Sequence, residues 1–140
     1  MILSYSDLLM SILTSAFSIK DEMNELVDSI KQDEFGVFGR DQVLKTCLLL
    51  ARLNPKFQIK SFNKGNIAII EENWKLFTDN IKDAVHLVKD FGYSNRLSQS
   101  YIITVIALYL NRKGYKYKDC KKEDRKSMWQ FTKIAQIQSC

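Results

Sequence analysis

From Ile67 to Phe91 the apolar residues recur alternately three and four positions apart: Ile67, Ile70, Trp74, Phe77, Ile81, Ala84, Val88 and Phe91. That spacing puts all of them on one stripe of a helix, predicted to run for about 25 residues and roughly 37 Å. Gly92 follows, a residue suited to a left-handed C-cap.

The same period recurs on both sides of this segment. A first helix is predicted over about Ser4 to Phe17, capped by Ser4 or Ser6. Ser18-Ile-Lys-Asp21 then opens a second, in which Ile19, Met23, Leu26, Val27 and Ile30 share a face while Glu22, Glu25 and Asp28 face water. After the break "EFGVFGR", Asp41 is placed to cap a third helix, "QVLKTCLLLARL", which stops before Asn54-Pro55. Its run from Cys47 to Ala51 is apolar nearly all round, which predicts a central position. A short link, "KFQIKSF", suits an extended form. Beyond the heptad helix, a fifth helix spans about Ser98 to Arg112, led by Leu97, Tyr101, Ile102, Val105, Ile106, Leu108 and Tyr109 and closed by Gly114. A last helix covers about Lys121 to Cys140, with Trp129, Ile134 and Ile137 on one side. The expected fold is all-α: a single bundle-like domain over residues 1–140, of about six helices, with the long heptad helix as its spine.

The totals agree with that picture. A chain of 140 residues suits one domain burying about 70% of its unfolded surface. One Pro and five Gly argue against an all-β fold rich in tight turns. The three cysteines, Cys47, Cys120 and Cys140, are odd in number and form no Cys-x-x-Cys pair. That favours reduced thiols and a cytoplasmic location over a disulfide framework. The opening "MILSYSDLLMSILTSAF" lacks a basic start and carries Asp7 within its apolar run, so it reads as a helix rather than a signal peptide. No uncharged run reaches the roughly 18 residues of a membrane span, so no membrane partner is expected.

Candidate chemistry is sparse. His86 is the only histidine, and it falls two positions past Ala84, away from the apolar stripe. It reads as a solvated surface residue, because general-base work would need a partner brought from elsewhere. Glu71, Glu72 and Asp79 share the heptad helix and look like its charged back. Cys47 lies in an apolar run and is expected in the core; Cys120 sits among lysines that would lower its pKa if it were exposed. No phosphate loop, glycine fingerprint, metal-ligand spacing or Ser/His/Asp arrangement occurs. The sequence therefore assigns no catalytic, cofactor-binding or metal-binding residue, and no cofactor.

One charge feature changes the picture. Between Arg112 and Lys126 stand eight Lys or Arg against three acids, a surplus of five that equals the whole net charge of +5. Tyr115 and Tyr117 alternate with the lysines in "RKGYKYKDCKK". Arg112, Lys113, Tyr115, Lys116, Tyr117, Lys118, Lys121, Lys122, Arg125 and Lys126 are thus candidates for gripping a DNA backbone, with the tyrosines stacking on unpaired bases. The competing account is a solvated, lysine-rich connection between two helices.

Three stretches together resemble a known bacterial family. They are "LSYSDLLMSILTS", "FGRDQVLKTCLLLARLNPKFQIKSFNKGNIAIIEENWKLF" and "AVHLVKDFGYSNRLSQSYIITVIALYL". Their most specific pieces are Leu3-Ser-Tyr-Ser-Asp-Leu-Leu9, the Asn73-Trp74 pair, and Phe91-Gly92 followed by the apolar helix ending at Leu110. The pattern resembles the helical region of the GmrSD-like family of modification-dependent restriction proteins, whose N-terminal part is ParB/sulfiredoxin-like. In that family the chemistry lies elsewhere, in an Asp-Gly-Gln-Gln-Arg-type nucleotide motif and often a His-Asn-His-type nuclease domain. Neither occurs here, so no catalytic residue carries over.

The resemblance implies a segment of a larger anti-phage DNA restriction protein, incomplete at both ends. It would be a non-catalytic scaffold linking nucleotide-sensing and nuclease parts and contacting DNA backbone. Apolar faces left uncovered, Tyr5, Leu8, Leu9 and Ile12 of the first helix or Trp129 and Phe131 of the last, are then expected to meet a partner chain or a second copy. Two other expectations stand beside it: a stand-alone helical protein–protein interaction module, and a small nuclease or nucleotide-binding enzyme with an unfamiliar site.

Overall fold

The structure, a computed structural model, describes residues 20–32, 38–53, 63–92 and 101–138. Among them are six α-helices and no strand: α1 (Lys20–Gln32), α2 (Arg40–Leu50), α3 (Lys64–Glu72), α4 (Trp74–Asp90), α5 (Tyr101–Lys113) and α6 (Lys122–Gln138). A single 3-10 turn, Tyr117–Asp119, lies between α5 and α6. The helix predicted over Ser4 to Phe17, the link "KFQIKSF", the start of the fifth helix and Cys140 fall outside the described residues.

Over the described residues helix α1 follows its pattern, while Ser18 and Ile19 of its expected opening fall outside them. Asp21 and Glu22 occupy its first turn and Lys31 its last, which suits the helix dipole. Met23, Leu26, Val27 and Ile30 are buried, with Glu22, Glu25 and Asp28 exposed. The cap of α2 is not the expected one. The helix starts at Arg40, so Asp41 is already its second residue, and Gly39 takes the cap position in an extended conformation. The Gly39 N–H donates instead to Gln42 Oε1 at 2.9 Å, the half of a capping box that needs no side chain at the cap. The expected central position holds: Val43, Leu44, Thr46, Cys47, Leu48 and Leu50 are all buried.

The predicted 25-residue helix is divided. Asn73 stands between α3 and α4 with φ −105° and ψ 11°, and its side-chain Nδ2 donates to the Ile69 carbonyl at 2.8 Å. The Ile69 carbonyl thus accepts both this side chain and the Asn73 N–H, the latter at a lengthened 3.3 Å, so the side chain competes with the main-chain ladder where the two helices part. The apolar stripe nevertheless passes through it: Ile67, Ile70, Trp74, Phe77, Ile81, Ala84 and Val88 are all buried, and Phe91 is half-buried against them.

Helix α5 packs most extensively on α4 and next on α2, burying Ile102, Ile103, Ile106, Ala107 and Leu110. Two polar pairs fix it to these neighbours. The Thr46 and Thr104 hydroxyls lie 2.8 Å apart, and Asn111 Nδ2 donates to Asn80 Oδ1 at 3.0 Å. Gly114, at φ +68°, ends α5 as foreseen, with its own N–H donating to Asn111 O and that of Tyr115 to Leu110 O. This is a Schellman motif, and it turns the chain into the basic connector.

Among the described side chains of α6 the buried one is Met128, 4% exposed, flanked by half-buried Asp124 and Arg125. Trp129, one step and about 100° further round the helix, is 41% exposed, and Phe131 is exposed with it. The side chains of Ile134 and Ile137 fall outside the described residues. No helix of the described residues is long and apolar enough to cross a membrane.

Candidate nucleic-acid interface

The basic segment forms the end of α5, the 3-10 turn and the start of α6, and it is held against α4 by a set of specific bonds. Asp83, His86 and Asp90 of α4 are spaced three and four apart, so they share a face. That face receives Tyr117. Its N–H donates to Asp83 Oδ2 at 3.0 Å, and its hydroxyl donates to the Asp90 carboxylate. Its ring stacks on His86, with centroids 3.7 Å apart and planes within 2° of parallel.

Arg125 closes the arrangement from α6. Its Nη1 meets Asp90 Oδ2 at 3.0 Å, its Nε donates to Cys120 O at 3.3 Å, and its Cζ lies 4.7 Å from the centre of the Tyr117 ring. Bonding to Tyr117 holds the guanidinium above its ordinary pKa, ahead of the opposing effect of burial. Further bonds stiffen the turn. The Lys116 N–H donates to Asp119 Oδ2 at 2.9 Å and the Lys121 N–H to Asp124 Oδ2 at 3.1 Å, while the Tyr109 hydroxyl reaches Asp124 Oδ1 at 3.2 Å.

The ten residues named from the sequence therefore separate into two groups. Tyr117 is engaged by His86 and Arg125, so its ring is not free to stack on a base, and Tyr115 is half-buried against the core. Arg112 donates to Asn111 Oδ1 at 2.9 Å and to the Leu49 carbonyl, at the end of α2, at 3.3 Å. Lys113, Lys116, Lys118, Lys121, Lys122 and Lys126 are exposed. Lys113 lies over the Tyr109 ring at 5.9 Å. Lys116 and Lys118 border an open depression of about 310 Å³ shared with Asp79, Asp83 and Tyr117.

The remaining candidates settle as follows. His86 is off the apolar stripe and exposed as expected, but it is a stacking partner rather than a merely solvated ring. Cys47 is fully buried, and burial pushes its thiol up to about 12. Cys120 does not meet the condition of exposure under which its lysines would lower its pKa: it is 8% exposed, and burial raises its pKa despite the opposing pull of Arg125. Glu71 and Glu72 lie on α3 and Asp79 on α4, so the three do not share one helix. Among the described residues no group of three His, Cys, Asp or Glu is placed to hold a metal ion.

Asp83 and Asp90 are the residues that sequence reasoning missed, and His86 was read there only as a solvated surface residue. Their helical spacing was readable, but nothing local says which segment packs on it. Compared with protein-family models and with curated proteins, the chain matches none.

Proposed function

We propose that this chain is a non-catalytic helical scaffold that contacts DNA backbone through the lysines of residues 112–126. It would link nucleotide-sensing and nuclease parts in a restriction protein of the GmrSD-like kind it resembles. The observation that carries the DNA contact is the exposure of six lysines on a connector bonded to α4 at Tyr117 and Arg125. The non-catalytic part is supported by what the reactive groups do: Cys47 and Cys120 are buried with raised pKa values, and the His86 ring lies flat on Tyr117.

Fluorescence anisotropy with a labelled 20-base-pair duplex, at salt from about 30 to 200 mM, tests the contact. Binding is expected in the micromolar range at low salt, with log K falling by about 0.9 per phosphate contact for each decade of salt. If all six lysines engage, the slope approaches about −5. No binding at tens of micromolar protein in the lowest salt refutes the reading.

A protein-interaction module is the second reading, favoured by the outer face of α6. Trp129 is 41% exposed and Phe131 48% exposed. Phe131 also lines an apolar cavity of about 300 Å³ with Val105, Ile106, Tyr109 and Met128. Light scattering that shows a strict monomer up to high concentration counts against self-association through this face.

A further inference from the structure

We infer that Asp90, Tyr117 and Arg125 are positioning residues, a clamp that holds the α5–α6 connector in order so that phosphate contact falls to its lysines alone. The inference rests on the proposed DNA contact and assigns roles within it.

Asp90 is the last residue of α4. A carboxylate there faces the negative end of the helix dipole, which disfavours it. It nevertheless receives both the Tyr117 hydroxyl and the Arg125 guanidinium. The two donors come from the connector and from α6, so one carboxylate ties three elements together. Without such a tie, a run of like charges repels itself and extends, and ordering it would be charged against binding.

The same bonds remove Tyr117 and Arg125 from the pool of direct contacts. A ring already facing an imidazole and a guanidinium offers no platform to a base, and an arginine paired at 3.0 Å is not a free phosphate partner. Duplex DNA, which presents phosphates but keeps its bases stacked, is therefore bound at least as well as single strands of equal phosphate number.

The Asp90→Asn variant separates this account from simple electrostatics. It makes the protein more positive by one charge and removes an unfavourable helix-end carboxylate, so charge alone predicts tighter DNA binding. The clamp predicts the opposite: about fivefold weaker binding to the 20-base-pair duplex, or about 1 kcal/mol. The salt slope should stay unchanged, because no phosphate contact is lost. Lys122→Gln, by contrast, should flatten the slope by about 0.9. Circular dichroism and thermal melting report whether the variant is folded. If Asp90→Asn fails to fold, Tyr117→Phe keeps the stacked ring, removes only the hydroxyl, and should weaken binding about twofold (about 0.4 kcal/mol).

Equal or tighter binding by a folded Asp90→Asn variant overturns the clamp and leaves the DNA reading standing. A single-strand preference, or a slope that drops in Asp90→Asn as it does in Lys122→Gln, overturns it as well. Failure of the wild-type protein to bind overturns the DNA reading and the clamp together.

Discussion

The Thr46–Thr104 pair between α2 and α5 gives a test of the fold whose size can be worked out beforehand. Thr46 is fully buried, and its hydroxyl donates to the Gln42 carbonyl at 2.6 Å. A hydroxyl has one proton, so the 2.8 Å bond between the two threonines must be donated by Thr104. Thr46→Val keeps the shape but removes both bonds and leaves the half-buried Thr104 donor without its acceptor. The expected loss is about 1.5–3 kcal/mol. Thr104→Val removes one bond and leaves Thr46 satisfied by Gln42, so about 0.5–1.5 kcal/mol is expected. In the double variant the two methyl faces meet with no orphaned group. The combined loss should then fall short of the sum by about 1 kcal/mol. Urea unfolding followed by circular dichroism at 222 nm measures each value. Additivity within about 0.3 kcal/mol would refute the bridging hydrogen bond.

Three further outcomes follow from other parts of the molecule. Arg52 closes α2 at φ 60°, a left-handed conformation that costs a side chain about 1 kcal/mol. Arg52→Gly should therefore raise the melting temperature, by the equivalent of about 0.5 kcal/mol after the added freedom of the unfolded chain; a fall contradicts the assignment. Burial raises the Asp83 pKa above its ordinary 3.8, with Asp79 adding to the rise and the Tyr117 N–H opposing it. The folded state thus binds that proton more tightly than the unfolded chain, and stability drains away as pH rises from about 4 through the raised value. Asp83→Asn should accordingly melt higher than wild type at pH 7 and no higher below pH 4. A lower melting point at pH 7 would mean that the Tyr117 bond outweighs burial. Finally, iodoacetamide at pH 8 with peptide mapping should leave Cys47 and Cys120 unmodified in the native protein and modify both in urea. Native labelling of Cys47 at its urea rate contradicts its burial.

How much of this was legible varies with how local the cause is. The stripe from Ile67 to Val88 was readable because burial of one helix face writes its period directly into the sequence. The break at Asn73 was not, since the three-and-four spacing runs through it and only the bond from Asn73 to Ile69 O reveals it. Asp41 is a good capping residue by type, yet the cap formed at Gly39 because Gln42 supplied the acceptor. On α6 the sequence pattern grouped Trp129 with Ile134 and Ile137 but did not single out Met128, which is buried beside Val105, Ile106 and Tyr109 of α5. The lysine-rich segment announced itself in the charge count. Its anchorage did not, because Asp83, His86 and Asp90 meet Tyr117 across 27 to 34 residues of chain.

The division of labour among the cations follows from their chemistry. Both arginines of residues 112–126 are bonded to fixed acceptors: the exposed Arg112 to Asn111 and the carbonyl end of α2, the half-buried Arg125 to Asp90, Cys120 and Tyr117. A planar guanidinium with several donors can satisfy two or three acceptors at once and lie on an aromatic ring, whereas an ammonium is a strongly hydrated point charge on a flexible stem. The six lysines are left outside, where hydration is retained and mobility costs little. Arg125→Lys is therefore not a conservative change here. It keeps the net charge of the segment, but one ammonium cannot reach Asp90, Cys120 O and Tyr117 O together, and the stacking over the ring is lost. At constant charge, the connector should loosen. Hydrogen exchange at the Tyr117 amide measures that opening, and exchange as slow as in wild type would show that charge alone, not guanidinium geometry, holds the connector to α4.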